Sequence, residues 1–324
     1  MQPFTQLPGP ATAPRPGAGS RTGTDVRTSG TDTRPPTTDT RPATGTRPGT
    51  DTRPGTGIRP AAGTPVGVGR AAPVLVAVGH GSRDPRARAA LARLLDRVRE
   101  LRPGLDVRLA HIELNAPLLD DTLAGLAAEG REAVLVPLLL APGYHVTHDL
   151  PAALAAVPGL RARVAGPLGP HPLLVEALAD RLAQAGWTPA DSASRATGVV
   201  LASAGSRDPR SAATLRRIAA ALGERLGGTP VVAAYASAAA PTVPEAVAAL
   251  TARGRHRIAV ASCFTAPGLF AARAAAHAPW IAADPLGAHP ALARLVLHRY
   301  DGAARARTGR PAAPATPSRE LAAI

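Results

Sequence analysis

Apolar residues in this chain gather in short β-branched runs, separated by longer Ala/Leu/Arg-rich stretches in which they recur every three or four positions. Val74 to Val78, Val107 to Ile112 and Ala133 to Leu140 read as buried strands. Arg86 to Leu101, Pro117 to Glu129 and Pro172 to Ala185 read as helices. Strand and helix alternating in this way predict an α/β fold, a parallel sheet with helices on both faces. In such sheets ligands bind beyond the carboxyl ends of the strands, which singles out the residues that follow each apolar run.

The chain also repeats itself. Gly79-His80-Gly81-Ser82-Arg83-Asp84-Pro85-Arg86 recurs 124 residues later as Ser203-Ala204-Gly205-Ser206-Arg207-Asp208-Pro209-Arg210, with six of eight positions identical. The same offset places Glu113 and Pro117 on Ser237 and Pro241. An offset of 125 places Ala141-Pro142-Gly143-Tyr144-His145 on Ala266-Pro267-Gly268-Leu269-Phe270. Pro167-Leu168-Gly169-Pro170-His171-Pro172 returns as Pro285-Leu286-Gly287-Ala288-His289-Pro290. The expected organisation is two copies of one α/β unit of about 120 residues, over 72–190 and 197–302.

The second copy serves as an internal control. Turn and packing residues survive in both: Gly81/Gly205, Ser82/Ser206, Arg83/Arg207, Pro117/Pro241, Pro142/Pro267 and Gly143/Gly268. Groups able to bind a metal or carry a proton do not, for His80 becomes Ala204, Glu113 becomes Ser237 and His145 becomes Phe270. If neighbouring strands present these three on one rim, two imidazoles and a carboxylate converge there, which makes them the candidate catalytic and metal-binding set. His171, repeated as His289 ahead of a Pro-initiated helix, reads as structural. His148 aligns with Arg273 and is as consistent with the surface as with the site. His111 lies two residues before Glu113, on the same face of its strand, as a packed residue or a partner to the site.

Composition changes this picture at the ends. From Met1 to about Ala71 the chain cycles through Thr, Arg, Pro, Gly and Asp, and the segment from Ala303 to Ile324 is similar. With almost nothing apolar to bury, both are expected to be disordered. The net charge of +14 first suggests nucleic acid or an acidic ligand. Residues 1–70 hold nine Arg and four Asp, however, and the tail four Arg and one Glu, so 71–302 carry only +6. The leader's Arg are spaced and interrupted by Asp, with no aromatic interleaved for base stacking, and no nucleic-acid partner is expected. A single cysteine, Cys263, excludes an intramolecular disulfide framework, a Cys-ligated zinc site and a four-Cys cluster within one chain. No apolar run approaches the 18 or so residues of a membrane helix, and the start lacks the apolar core of a secretory signal, so a cytoplasmic protein is expected.

His80-Gly81-Ser82-Arg83, then Glu113 followed by Pro117, then Pro137-Leu138-Leu139-Leu140-Ala141-Pro142-Gly143-Tyr144-His145 continuing to Asp149-Leu150-Pro151, resemble the sirohydrochlorin chelatases of the CbiX/SirB type, a class II chelatase family. The resemblance covers about 72–301, with the motifs in order and 33 and 32 residues between their key positions. It implies two chelatase-like halves with a cleft between them. It implies insertion of Fe(II) or Co(II) into sirohydrochlorin, in siroheme or cobalamin synthesis, with loss of two pyrrolic protons and no organic cofactor. His80 would accept a proton and bind metal, His145 would be a second ligand, and Glu113 a further ligand or proton relay. Leu140, Ala141, Pro142, Gly143 and Tyr144 would line the macrocycle, and Arg83 would meet its carboxylates. Ala116 stands where the family carries an acid, with Asn115 a possible substitute.

Two readings of other classes compete. A metal-binding or delivery protein without turnover would use the same His residues, although the tail holds no His. A phosphate-ester hydrolase with His80 as nucleophile would be expected to carry Arg before it, where Gly79 stands. A monomer is expected, because one chain already holds both copies.

Overall fold

The computed structural model describes residues 72–306; the leader expected over 1–71 and the tail beyond 306 lie outside the described residues. All described residues belong to one compact unit. The first repeat contains strands β1 (Val74–Gly79), β2 (Val107–His111), β3 (Ala133–Pro137) and β4 (Ala162–Val164). Its helices are α1 (Pro85–Leu101), α2 (Leu119–Ala128), α3 (Leu150–Ala155) and α4 (Pro172–Gln184), with short α5 (Pro189–Ala193) as the connection. The second repeat runs β5 (Thr197–Ser203), α6 (Pro209–Arg225), β6 (Val231–Tyr235), α7 (Val243–Thr251), β7 (Arg257–Ser262), α8 (Leu269–Ala276), β8 (Ile281–Ala282) and α9 (Pro290–Arg305). Each repeat forms a four-stranded parallel sheet, ordered β2-β1-β3-β4 and β6-β5-β7-β8.

Both faces of each sheet are covered, which is why β1 is buried at all six positions. Alternate residues enter different cores. Leu75 and Ala77 face a large core shared by the two repeats, while Val74, Val76 and Val78 face a smaller one with Leu123, Leu126 and Leu150. Inside the shared core the closing helices are exchanged. Helix α9 packs on β3 and β4 and beside α1, whereas α4 packs on β7 and beside α6.

One pair of polar contacts across the repeats is reciprocal. Arg181 of α4 donates to the Leu286 carbonyl (2.6 Å), and its counterpart Arg299 of α9 donates to the Leu168 carbonyl (3.0 Å). The Tyr300 hydroxyl donates to the Pro73 carbonyl at 2.7 Å, and Arg102 forks onto Asp301.

The elements depart from the expected boundaries for local reasons. Strand β2 ends at His111, and α2 starts at Leu119 rather than Pro117, because His111 N–H bonds the Pro117 carbonyl and Leu118 bridges to the strand. Strand β3 stops at Pro137, and the chain beyond it is loop, tied by Leu139 and Leu140 carbonyls that accept from Leu168 and Gly169. Helix α9 runs to Arg305, into the segment expected to be structureless from Ala303. The Arg163 guanidinium donates to the Ala304 carbonyl at 3.1 Å, holding a helix end that would otherwise fray.

One turn is repeated in both halves. Gly81 has φ 109°, and a Cβ there would lie 1.9 Å from the Glu113 carbonyl oxygen; at Gly205 the values are 94° and 1.8 Å from Ser237. Alanine at either position is expected to destabilise the fold by at least about 1–3 kcal/mol, since backbone strain adds to the clash. Gly125→Ala, on α2 with open space around it, should be neutral or stabilising by up to about 1 kcal/mol. Denaturant midpoints of the three variants check this, and equal midpoints would contradict it.

Candidate active site

The repeated turn carries the site. Beyond β1 and β2 the ladder continues, with Ile112 N–H on the Gly79 carbonyl and Glu113 N–H on that of His80, both at 3.0 Å. The Asn115 side-chain oxygen accepts from Ser82 N–H at 2.7 Å. Asp84 then caps α1 by accepting from Arg86 N–H. The second repeat makes the same ladder bonds, Ala236 to Ser203 and Ser237 to Ala204, and the same cap through Asp208. The backbone is therefore common to both repeats, and the side chains at 80 and 113 are what distinguish the first.

This backbone brings Glu113 Oε1 to 3.3 Å from His80 Nδ1. The side chains are 44% and 52% exposed, so both remain open to a ligand. His145 arrives from β3 after a seven-residue loop, and its ring meets His80 edge-on with centroids 4.5 Å apart. It does not follow its strand directly but stands on a π-helical turn, His145–Asp149, where Leu150 N–H bonds the His145 carbonyl. Pro151 explains the wider turn. It has no N–H to give the Thr147 carbonyl, and its ring crowds that group, which disfavours the α register. Within the turn His145 Nδ1 lies 2.6 Å from Asp149 Oδ2, leaving Nε2 as the free ring nitrogen.

Burial lowers the His80 pKa below its ordinary 6.5, and the neighbouring His145 lowers it further; Glu113 opposes both less strongly. At neutral pH His80 is thus an uncharged imidazole able to accept a proton or a metal ion. His80, Glu113 and His145 are brought together pairwise. Among the described residues, no three His, Cys, Asp or Glu side chains are grouped so as to hold a metal ion by themselves.

The other candidates divide. Leu140 packs against the shared core. Ala141, Pro142 and Gly143 are half-buried in the loop, and the Gly143 carbonyl accepts from Val146 and Thr147 N–H. Tyr144 is 65% exposed and stacks on His148 at 4.6 Å. Arg83 and Ala116 are exposed. Asn115 holds the His80 loop rather than standing free. His171 and His289 are helix caps, each accepting through Nδ1 from the N–H two residues on. His111 is buried beside Gly79 with neither ring nitrogen hydrogen-bonded.

The second repeat reaches the site too. A Cβ on Gly268 would lie 3.8 Å from Ser82 Oγ, and one on Gly143 3.7 Å from Ser206 Oγ. Leu269 and Phe270, both exposed, therefore follow the point at which that loop meets the His80 loop. Two concavities of about 680 and 670 Å³ lie elsewhere, at the equivalent starts of α4 and α9. His171 lines the first and His289 the second, and neither contains His80, Glu113 or His145. Their symmetry identifies them as seams of the helix exchange. Sequence reasoning overlooked Asp149 as a site residue. Its four-residue spacing from His145 and its replacement by Ala274 in the second copy were the available signals.

Fold and site together define a duplicated α/β protein in which only one half sets a histidine beside a carboxylate and a second histidine at the sheet rim. The same architecture is found in SirB from Bacillus subtilis with Fe3+, with TM-score 0.60 and 22% identity, covering 72% of this chain and 96% of that one. The CbiX family model matches residues 74–185 and again 198–303, and the chain belongs to the CbiX family. Among its relatives, a sirohydrochlorin cobaltochelatase of Methanosarcina acetivorans is 32% identical over 82 residues, 25% of this chain and 63% of that protein. The chloroplastic sirohydrochlorin ferrochelatase of Arabidopsis thaliana is 31% identical over 121 residues, 36% of this chain and 53% of that protein. The matched segments thus span less than two thirds of either relative.

The pKa directions give a pH prediction. His80, His111, His171 and His289 are all held below 6.5, chiefly by burial. The unfolded chain takes up protons at 6.5 that the folded protein refuses, so stability falls as pH drops from 6.5 through the lowered values. In an NMR titration His80 is expected to protonate below 6.5, lower still in Glu113→Gln and higher in His145→Ala. Reversed shifts would show that the two neighbours act otherwise.

Proposed function

We propose that this protein is a sirohydrochlorin chelatase, a lyase-class enzyme that inserts Fe(II) or Co(II) into the macrocycle. The observation that carries this reading is the paired His80–Glu113 and His80–His145 arrangement at the carboxyl rim of one sheet, on a backbone that the second repeat reproduces without those groups. Relatives named for cobalt and for iron insertion support both metals.

The divalent ion and the free-base ring combine to give the metallated ring and two protons. The two imidazoles offer neutral nitrogen donors suited to Fe(II) and Co(II). His80 accepts a pyrrolic proton, and Glu113 beside its Nδ1 passes that charge toward solvent. The reaction needs no organic cofactor. Exposed Arg83 attracts the anionic substrate, while Tyr144, Leu269 and Phe270 offer apolar surface to the ring. In this reading the protein acts as a cytoplasmic monomer with a tetrapyrrole as its partner, not a nucleic acid or a membrane. Among the described residues no helix is long and apolar enough to cross a membrane.

Mixing the full chain with sirohydrochlorin and either ion, and following the absorbance of the ring, tests the proposal. His80→Ala is expected to slow insertion by about 10²–10⁴-fold, and His145→Ala to raise the metal KM. Variants that match the wild type, or a wild type no faster than the spontaneous reaction, would refute it; metal binding without turnover would point to delivery instead.

A further inference from the structure

The proposed chemistry uses His80, Glu113 and His145 but leaves the His145–Asp149 pair and its π-helical turn unexplained. A four-apart pair on an exposed helix is usually a minor stabiliser, contributing about 0.2–0.5 kcal/mol. Three observations separate this one from that class. Its contact is short, 2.6 Å between Nδ1 and Oδ2, with both side chains about two-thirds buried (34% and 33% exposed). It stands on a π-turn, a less favourable register than the α-helix. Both partners are also lost together in the second repeat, where Phe270 and Ala274 occupy the matched positions and α8 is regular α-helix from Leu269 to Ala276. The framework thus needs neither the acid nor the π-turn. It keeps them only where an imidazole is presented to the rim.

We infer that Asp149 is a positioning residue for the incoming metal. Its carboxylate accepts the Nδ1 proton of His145, which fixes the ring's orientation and tautomer and commits Nε2 to the ion. The π-turn, set by Pro151, holds the acid at the required place relative to the imidazole. A carboxylate behind a ligating imidazole also makes that ligand more basic and strengthens its bond to the metal. Asp149 acts through His145 and does not itself touch the ion. This inference rests on His145 as a metal ligand, and the test separates failure of one from failure of the other.

The test uses the full chain without tetrapyrrole and titrates it with Co(II), read by the visible absorption of the bound ion, for wild type, Asp149→Ala, Asp149→Asn and His145→Ala. Ala is tolerated at the matched position 274, so Asp149→Ala is expected to fold; Asp149→Asn keeps the side-chain volume should it not. Both Asp149 variants are expected to bind Co(II) about 10–100-fold more weakly. In metallation assays the metal KM should rise by a similar factor while kcat and the sirohydrochlorin KM stay within about twofold, a split that general loosening of the fold would not produce. Asp149→Glu should restore part of the affinity. Wild-type Co(II) affinity in the Asp149 variants, alongside a loss in His145→Ala, overturns the role of Asp149 and leaves the ligand reading intact. Unchanged affinity in His145→Ala as well overturns both.

Discussion

A carbonyl oxygen occupies the space where residue 81 would carry its Cβ. That close approach, Glu113 C=O against Gly81, locks the loop after β1 to the loop after β2 and so sets His80 beside Glu113. With Glu113 N–H bonded to the His80 carbonyl, the two residues are fixed as neighbours by main chain, and their side chains need only be the right kind. Copy two keeps the lock, with Gly205 against Ser237, and presents alanine and serine on it. Construction and side-chain identity are therefore separable at this rim, because the construction is carried by backbone that both copies share.

The second constraint is mutual coverage. A parallel sheet must be buried on both faces, and each sheet here takes one of its covering helices from the other repeat. The large core formed in this way joins residues such as Leu75 and Val134 to Val199, Leu215 and Leu292. The reciprocal Arg181 and Arg299 contacts pin the exchanged helices at their equivalent ends. Exchange also gives the second repeat a structural part in the first. It supplies α9 to the first sheet, and its Gly268 loop stands against the His80 turn.

Electrostatics at the rim balances two demands. Burial and a second imidazole keep His80 uncharged, and Glu113 tempers the effect without reversing it. His145 Nδ1 lies against the Asp149 carboxylate. The Nδ1 of each His faces a carboxylate.

Much of this was legible in the chain alone. Alternating β-branched and amphipathic runs determined two parallel α/β halves, because burying both faces of a sheet imposes that pattern. The internal repeat singled out His80, Glu113 and His145 from the repeated turns around them, and the fold places His80 beside each of the other two. Asp149 was read as part of the third motif without a role of its own, because a carboxylate four residues from a histidine is common on any helix; the π-turn and the 2.6 Å contact distinguish this one. Leu140, expected in an apolar wall, is partly buried against the shared core, with its carbonyl accepting from Gly169 N–H. The exchange of α4 and α9 has no local signature, since each helix is amphipathic whichever sheet it covers. Local pattern determined the elements and the candidate groups; which sheet each closing helix covers, and which imidazole meets which carboxylate, depend on contacts between distant residues that only the tertiary structure decides.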